Sequence, residues 1–267
     1  MTDEVVLSER QDGVLTLTLH RPDRHNAWTR AMEARYFDLL EEADEDPDVR
    51  AIVLTGAGRA FCPGMDAASL TKATTAGPSK ADRRPMTYAL TIRKPMIAAI
   101  NGACAGIGLV QALTCDIRFA AAGVKLATSF VRRGLPAEFS SSWLLPRLVG
   151  YGHAMDLLLS GRPITAEDAL AMGLVNRVMP GGELLEAAGA YARDLADNCS
   201  PVAMAAIKAQ VAADWLRTQK ESLADALAVA SEEGRRVDFA EGVNAFVEKR
   251  SPKFRPLPPK GTALVDW

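Results

Sequence analysis

The sequence predicts an α/β fold with right-handed crossovers that gives way to a helical C-terminal part. Three observations predict it. Apolar or alternating runs that read as strands recur between helical stretches through the first half of the chain. Glycine clusters stand where two of those strands end. After Gly134 the periodicity turns helical and stays so almost to the C-terminus.

Each element follows from its residues. The N-terminus MTDEVVLSER is acidic and strand-like, without the charged and apolar regions of a signal peptide. Val14 to Leu19 alternates apolar and polar residues, a half-buried strand ended by Arg21-Pro22-Asp23. Ala31 to Asp44 is an amphipathic helix. Ala51 to Thr55 is a continuous apolar run bounded by Gly56, the mark of a buried strand. The rhythm repeats with a strand at Met96 to Ile100, a helix from Gly108 to Thr114 and a strand over Asp116 to Ala120. Between them, Gly77 to Arg84 is rich in Gly, Pro, Ser and charge and reads as a mobile loop. Helices are then predicted over Ser141 to Val149, Gly152 to Leu159, Thr165 to Met172 and Glu183 to Asp197, with Thr165 as N-cap and Asp168 completing a capping box. Pro201 to Gly234 reads as one long alanine-rich helix, and Ser251 to Trp267, with its prolines, as a tail extended over a surface. The division is a core over 1–200 and a C-terminal helical part with tail over 201–267.

Composition removes several functions. A net charge of -2 gives no global attraction to nucleic acid or to an anionic membrane. The apolar run Ile97 to Val110 is short and interrupted by Asn101 and small residues, so it does not span a bilayer. Cys62, Cys104, Cys115 and Cys199 form no CxxC pair and no metal-ligand cluster, which points to reduced thiols in a cytoplasm and to no bound metal.

The glycine turns carry the chemistry. Gly58 to Asp66 follows the strand at Val53, and Asn101 to Leu109 follows the strand at Ile97. Ligands of open α/β sheets gather beyond the carboxyl ends of strands. Two such turns on neighbouring strands can each aim a backbone N–H at one point, and the second opens a helix whose N-terminus favours negative charge. A pair of preset donors is what a developing oxyanion needs, each worth roughly 3 kcal/mol. The same glycines would also serve tight strand-to-helix packing alone.

Several segments together resemble the enoyl-CoA hydratase/isomerase (crotonase) family. Ala60-Phe61-Cys62-Pro63-Gly64-Met65-Asp66 is similar to its first oxyanion segment, and Ile100 to Gly108 with Cys115-Asp116 downstream to its second. Arg21-Pro22 to Asn26-Ala27 resembles its N-terminal CoA-contact loop. Ser142 to Gly150 and Ala166 to Val175 match later signatures, and the match is collinear from about Val5 to Phe254. The resemblance implies a spiral of ββα units in two sheets, a helical C-terminal part and assembly of identical subunits into a trimer or hexamer. It implies an acyl-CoA substrate, with coenzyme A entering as part of that substrate and no separate cofactor. The oxyanion donors would be the N–H groups of Met65 and Ile107, the latter standing where the family usually has glycine. Ala60, Asp66, Ala67 and Ala68 would line the thioester and the CoA arm, Ala27 belongs to the contact loop, and Arg24 and Lys249 would meet CoA phosphates or remain solvated surface charge. Asp66 either fixes its turn, contacts the adenine end or caps a helix.

The family's hydratases use two glutamates to hold a water, and the matching positions here are Val110 and Phe130. Neither side chain transfers a proton. Glu138, in Gly134-Leu135-Pro136-Ala137-Glu138, occupies the position where several enoyl- and dienoyl-CoA isomerases carry their acid. The expected reaction is therefore a double-bond shift, with Glu138 moving a proton from C2 to C4. The alternatives are hydration by Glu138 alone, or acyl-CoA binding without chemistry. A carboxyl walled by Phe130, Phe139 and Trp143 would have a raised pKa. The competing reading pairs Glu138 with Arg132 or Arg133, or makes it a helix cap. His20, His25 and His153 show no partner spacing, and Cys62 reads as a small packed thiol. Ser140, Ser141 and Ser142 either donate a hydrogen bond near Glu138 or cap the next helix.

Overall fold

A computed structural model describes residues 4–76, 83–230 and 233–261. The chain opens with a hairpin of β1 (Val6–Gln11) and β2 (Val14–Leu19), then α1 (Arg30–Glu45), whose N-cap Thr29 accepts a hydrogen bond from the Met32 N–H. Next, a long strand is followed by a short strand and a helix: β3 (Ala51–Gly56), β4 (Ala60–Cys62) and α2 (Ala67–Ala76). The same unit recurs as β5 (Met96–Ile100), β6 (Ala103–Ala105) and α3 (Ile107–Leu113). It recurs again as β7 (Ile117–Ala121), β8 (Lys125–Ala127) and α4 (Ser141–Ser160). The rest comprises β9 (Ile164–Thr165), α5 (Ala166–Ala171), β10 (Arg177–Met179), α6 (Leu184–Asn198), α7 (Pro201–Asp214), α8 (Gln219–Ala230) and α9 (Glu233–Glu248).

The long strands form one sheet in the order β1-β2-β3-β5-β7-β10, parallel except for the β1–β2 hairpin. The short strands form a second sheet, β4-β6-β8-β9, with β4, β6 and β8 parallel. Because every unit contributes one strand to each sheet, the chain climbs as a spiral, and the ends of its turns stack along the second sheet. One core packs the large sheet against α1 and the small sheet, through Leu17, Leu19, Phe37, Leu54 and Phe61. The other packs Val53, Ile97 and Phe119 on the opposite face against the alanine stripe Ala188, Ala192 and Ala196 of α6. Small residues on α6 let the helix lie close to the sheet.

Two connections are held by polar side chains. Asn101 donates from Nδ2 to the carbonyls of Gly56 (2.8 Å) and Gly58 (3.0 Å), and its Oδ1 accepts from the Gly56 N–H at 3.1 Å. The β3–β4 turn is thereby locked to the β5–β6 turn. In α4, Gly150 has φ 75° and ψ 165°, which breaks the helix where two helices were expected. Thr165 and Asp168 form the expected capping box.

The C-terminal part departs from one long helix over Pro201 to Gly234. α7 stops at Asp214, and Thr218 restarts the chain as α8, its N–H and hydroxyl both bonded to the Glu221 carboxylate at 2.7 and 2.8 Å. This local start signal outweighs continuous alanine propensity. A further helix, α9, carries the chain past Gly234 to Glu248. Of the loop expected over Gly77 to Arg84, 77–82 lie outside the described residues. Arg83 pairs with Glu33, and Arg84 with Asp38 (2.7 Å) and Glu41 (2.6 Å), tying these two residues to α1. The tail runs back along the surface, with the carbonyls of Phe254 and Pro258 accepting from Arg50 (3.0 Å) and Arg93 (2.8 Å). Residues 262–267 of the tail lie outside the described ones.

One of the two tightest backbone approaches falls at the start of α3. A Cβ on Gly108 would lie 2.1 Å from the Cys62 carbonyl oxygen, whereas one on Gly189 of α6 would meet only the end of the Arg193 side chain, at 3.3 Å. Gly108→Ala is expected to destabilise by about 1–3 kcal/mol despite the gain in helix propensity, and Gly189→Ala to be neutral or stabilising. Urea unfolding of both variants checks this, and equal midpoints would contradict it.

Candidate active site

The two glycine turns meet. Ala60 pairs with Ala103 and Cys62 with Cys104 across β4 and β6, so the residues that follow are carried side by side. Gly64 adopts φ 121° and Gly106 φ 53°, both open to glycine and strained for other residues. A Cβ on Gly106 would stand 3.9 Å from the Gly64 Cα, and one on Gly64 3.4 Å from the Ala105 carbonyl. Met65 and Ile107 come next in the chain. A bridge to Trp28 fixes the first turn, with the Trp28 N–H donating to Gly64 O at 2.8 Å and the Asp66 N–H to Trp28 O at 2.9 Å. The Gly106 N–H donates to Ala127 O at 3.0 Å and fixes the second. The Met65 and Ile107 N–H groups, between these anchored neighbours, have no acceptor among the described residues.

Both residues line one small cavity of about 50 Å³, together with Pro63, Gly64, Leu70, Gly106, Thr128, Phe130, Arg133, Leu135, Glu138 and Phe139. Glu138 is half-buried, and its carboxylate has no ion-pair or hydrogen-bond partner among the described residues. Burial alone pushes its pKa above the ordinary glutamate value. The pairing with Arg132 or Arg133 is absent: Arg132 donates to Ser160 O at 2.9 Å and Arg133 to Ser129 O at 3.2 Å. The Glu138 carbonyl accepts from the Ser141 N–H (3.0 Å) and hydroxyl (2.7 Å), so the backbone fastens to α4 while the carboxyl stays unused. The two following residues, Phe139 (φ 53°) and Ser140 (φ 60°), are left-handed without being glycine. Such backbone costs of order 1–3 kcal/mol per residue and is tolerated where the surroundings over-determine it.

The remaining residues fall into place around this centre. Val110 is buried on α3, and Phe130 forms a cavity wall, its ring 6.3 Å from that of Phe139 in an edge-on contact. Trp143 is not among the residues that line this cavity; it packs edge-on against Trp215 at 4.7 Å, with Arg147 stacked 4.2 Å over its ring. Its place in the first turn of α4 brings it against the residue that follows α7. Asp66 accepts from both terminal nitrogens of Arg21 at 3.2 Å and from the Ala68 N–H at 3.0 Å. Burial works to raise its pKa, but those bonds outweigh it and hold the carboxyl below its ordinary value. It therefore ties the turn to the N-terminal loop and caps α2. Ala60 is buried, its carbonyl accepting from Asn26 Nδ2 at 2.7 Å, and the Ala27 carbonyl accepts from Arg21 at 2.5 Å. Ala67 and Ala68 are exposed on the first turn of α2. Arg24 is exposed beside Asp23 (3.7 Å), and Lys249 is exposed just past α9; neither lines the cavity. His20, His25 and His153 also lie outside it. Cys62 donates to Gly64 O, and burial pushes its thiol up to about 12, which keeps it protonated. Among the described residues there is no cluster of three or more His, Cys, Asp or Glu able to hold a metal.

In sequence Arg133 figured only as a possible partner for Glu138, and Asn26 and Asn101 only as members of their loops. Nothing in the spacing showed that Asn26 is fully buried or that Asn101 spans two turns, because both act on carbonyls distant in the chain.

Two free N–H donors and an unpaired carboxyl on one apolar cavity can stabilise an oxyanion and move a proton beside it. The spiral of ββα units with this paired turn defines a crotonase-fold protein. The family model described as enoyl-CoA hydratase/isomerase matches residues 9–256, and the chain belongs to that family. It is 36% identical over 262 residues to the 1,2-epoxyphenylacetyl-CoA isomerase of Escherichia coli, covering 94% of this chain and 98% of that protein. Among solved structures, a probable enoyl-CoA hydratase/isomerase from Mycobacterium abscessus is 36% identical with a TM-score of 0.84, covering 94% of this chain and 99% of that one. An enoyl-CoA hydratase from Mycobacterium marinum is 48% identical with a TM-score of 0.69, covering 80% of this chain and 99% of that one.

An unpaired, desolvated carboxylate weakens the fold that holds it. As pH rises from about 4, the unfolded chain releases the Glu138 proton before the folded chain does, so this residue subtracts stability towards neutral pH. Glu138→Gln is expected to be at least as stable as wild type at pH 7, with its advantage shrinking towards pH 4. Denaturant unfolding at the two pH values measures this; a variant clearly weaker at pH 7 would mean that the carboxylate has a stabilising partner.

Proposed function

We propose that this protein is an enoyl-CoA isomerase, shifting a double bond along the acyl chain of a coenzyme A thioester with Glu138 as the single acid/base. The carrying observation is that Glu138 lines the same cavity as Met65 and Ile107, and that neither its carboxylate nor their N–H groups have a partner among the described residues. In this reading those N–H groups receive the thioester oxygen. Glu138 takes a proton from C2, charge moves onto the oxygen between the two donors, and the new acid returns the proton at C4. Apolar Val110 and Phe130, where hydratases of the family carry acids, support a proton shuttle over water addition. The isomerase name of the Escherichia coli relative is in keeping with this.

Glu138→Gln is expected to lower kcat for conversion of 3-enoyl-CoA to 2-enoyl-CoA by roughly 10²–10⁴-fold. In the wild type, kcat/KM falls on acidification as Glu138 takes up its proton, with the midpoint above the ordinary glutamate range of about 4.3. Water addition to 2-enoyl-CoA is assayed in parallel. Isomerisation that survives in the variant would remove Glu138 from this role, and efficient hydration by the wild type would favour the hydratase alternative.

The proposal includes a trimer or hexamer of this chain, with free buried thiols at Cys62, Cys104 and Cys115 in keeping with a reducing cytoplasm. Its support is the apolar surface of the last helices, where Ile207, Leu216, Leu227, Phe239 and Phe246 are all more than half exposed. Light scattering is expected to give a multiple of the 28.6 kDa chain mass, and Phe246→Asp to shift it towards monomer. A monomeric wild type would end this part of the reading.

A further inference from the structure

We propose that Arg133 sets substrate specificity here, selecting acyl thioesters that carry a carboxylate on the acyl chain. This rests on the reading above only in taking the cavity as the acyl site.

Arg133 and Glu138 are the two charged residues lining the cavity. The one hydroxyl there is spent, with Thr128 Oγ1 donating to Leu157 O at 2.7 Å. The remaining lining residues are apolar side chains or glycine. Arg133 has no carboxylate partner among the described residues, and burial is the sole cause of the raised Glu138 pKa, which a guanidinium at close range would oppose. The two opposite charges thus share a cavity without neutralising each other.

The Arg133 guanidinium is placed by its bond to Ser129 O, the carbonyl between the lining residues Thr128 and Phe130. That bond uses one donor of a planar fork built to grip carboxylate or phosphate with two parallel bonds. The side chain is exposed as well as cavity-lining, which sets it at the rim. Its neighbour Arg132 turns to Ser160 O and does not line the cavity.

An acyl-CoA offers two kinds of oxygen anion, the phosphates of coenzyme A and a carboxylate on the acyl chain. Arg133 stands on the wall that carries Glu138, joined to it by the short run Gly134 to Ala137. With the cavity taken as the acyl site, the group nearest Arg133 is the acyl end.

The test is calorimetric binding of glutaryl-CoA, pentanoyl-CoA and free coenzyme A to wild type and to Arg133→Met, Arg133→Lys and Arg132→Met. The two thioesters share a five-carbon chain and differ only in the terminal carboxylate. Wild type is expected to bind glutaryl-CoA at least tenfold more tightly than pentanoyl-CoA. Arg133→Met should erase that preference, Arg133→Lys should reduce it to a few-fold, and Arg132→Met should keep it. Lack of preference in the wild type overturns the proposal. So does equal weakening of all three ligands by Arg133→Met, which would assign the guanidinium to coenzyme A itself. If Arg133→Met does not fold, an undiminished preference in Arg133→Lys is the overturning result. Neither thioester has a double bond to move, so this outcome is separable from failure of the Glu138 assignment.

Discussion

The structure depends on backbone packed directly on backbone where the two glycine turns cross. Gly102 and Gly108 leave no room for a side chain: a Cβ on either would come within 2.1 Å of a carbonyl oxygen of the neighbouring turn. Contact this close is what carries Met65 and Ile107 to one cavity. It also explains why their N–H groups stay free. Each follows a glycine whose dihedrals turn the chain out of the β4–β6–β8 ladder, so the next amide is left without a strand partner among the described residues. Elsewhere a buried N–H finds a partner in the sheet or helix.

Such a site is locally costly, and the surroundings supply what holds it. Free amides, an unpaired carboxyl and consecutive left-handed residues at Phe139 and Ser140 each raise the local free energy. The compensation lies in the immobilised neighbours: Asn101 across two turns, Asn26 buried under the first, Arg21 on Asp66, and Ser141 on the Glu138 carbonyl. None of these needs to touch substrate. Their effect is to make the direction of two N–H vectors and one carboxyl a property of the fold.

Much of this was legible in the residues. Strand and helix positions followed periodicity, because each buried run had to be apolar to fill one of the two cores. Gly64 and Gly106 stood out as glycines where strands end, and Glu138 through the resemblance to the family's isomerases; all three line one cavity. What stayed hidden depends on direction in space. Trp143 reads as apolar wall in sequence, yet its place on α4 points it at Trp215, a residue 72 positions on. The stop at Asp214 was masked by alanine-rich sequence on both sides, with the signal confined to Thr218 and Glu221. Arg133 was visible only as a partner for Glu138, because sequence adjacency suggests pairing and says nothing of a cavity both can line while staying apart.

The character of the cavity bears on which reaction suits it. Adding water to a double bond requires a water held in place by more than one polar group, then split between two proton-transfer steps. Here the position on α3 is Val110, the wall is Phe130, and the Thr128 hydroxyl already serves the Leu157 carbonyl. A water beside Glu138 would have the carboxylate and little else among the lining side chains except Arg133 at the rim. Moving a proton between two carbons of one bound chain makes no such demand. It needs a single group whose affinity for a proton lies between ordinary carboxylate and the carbon acid, and burial shifts Glu138 in that direction. On the proposed reading, those apolar walls offer little to hold a water, and the same burial that keeps a bound thioester dry also raises the basicity of Glu138.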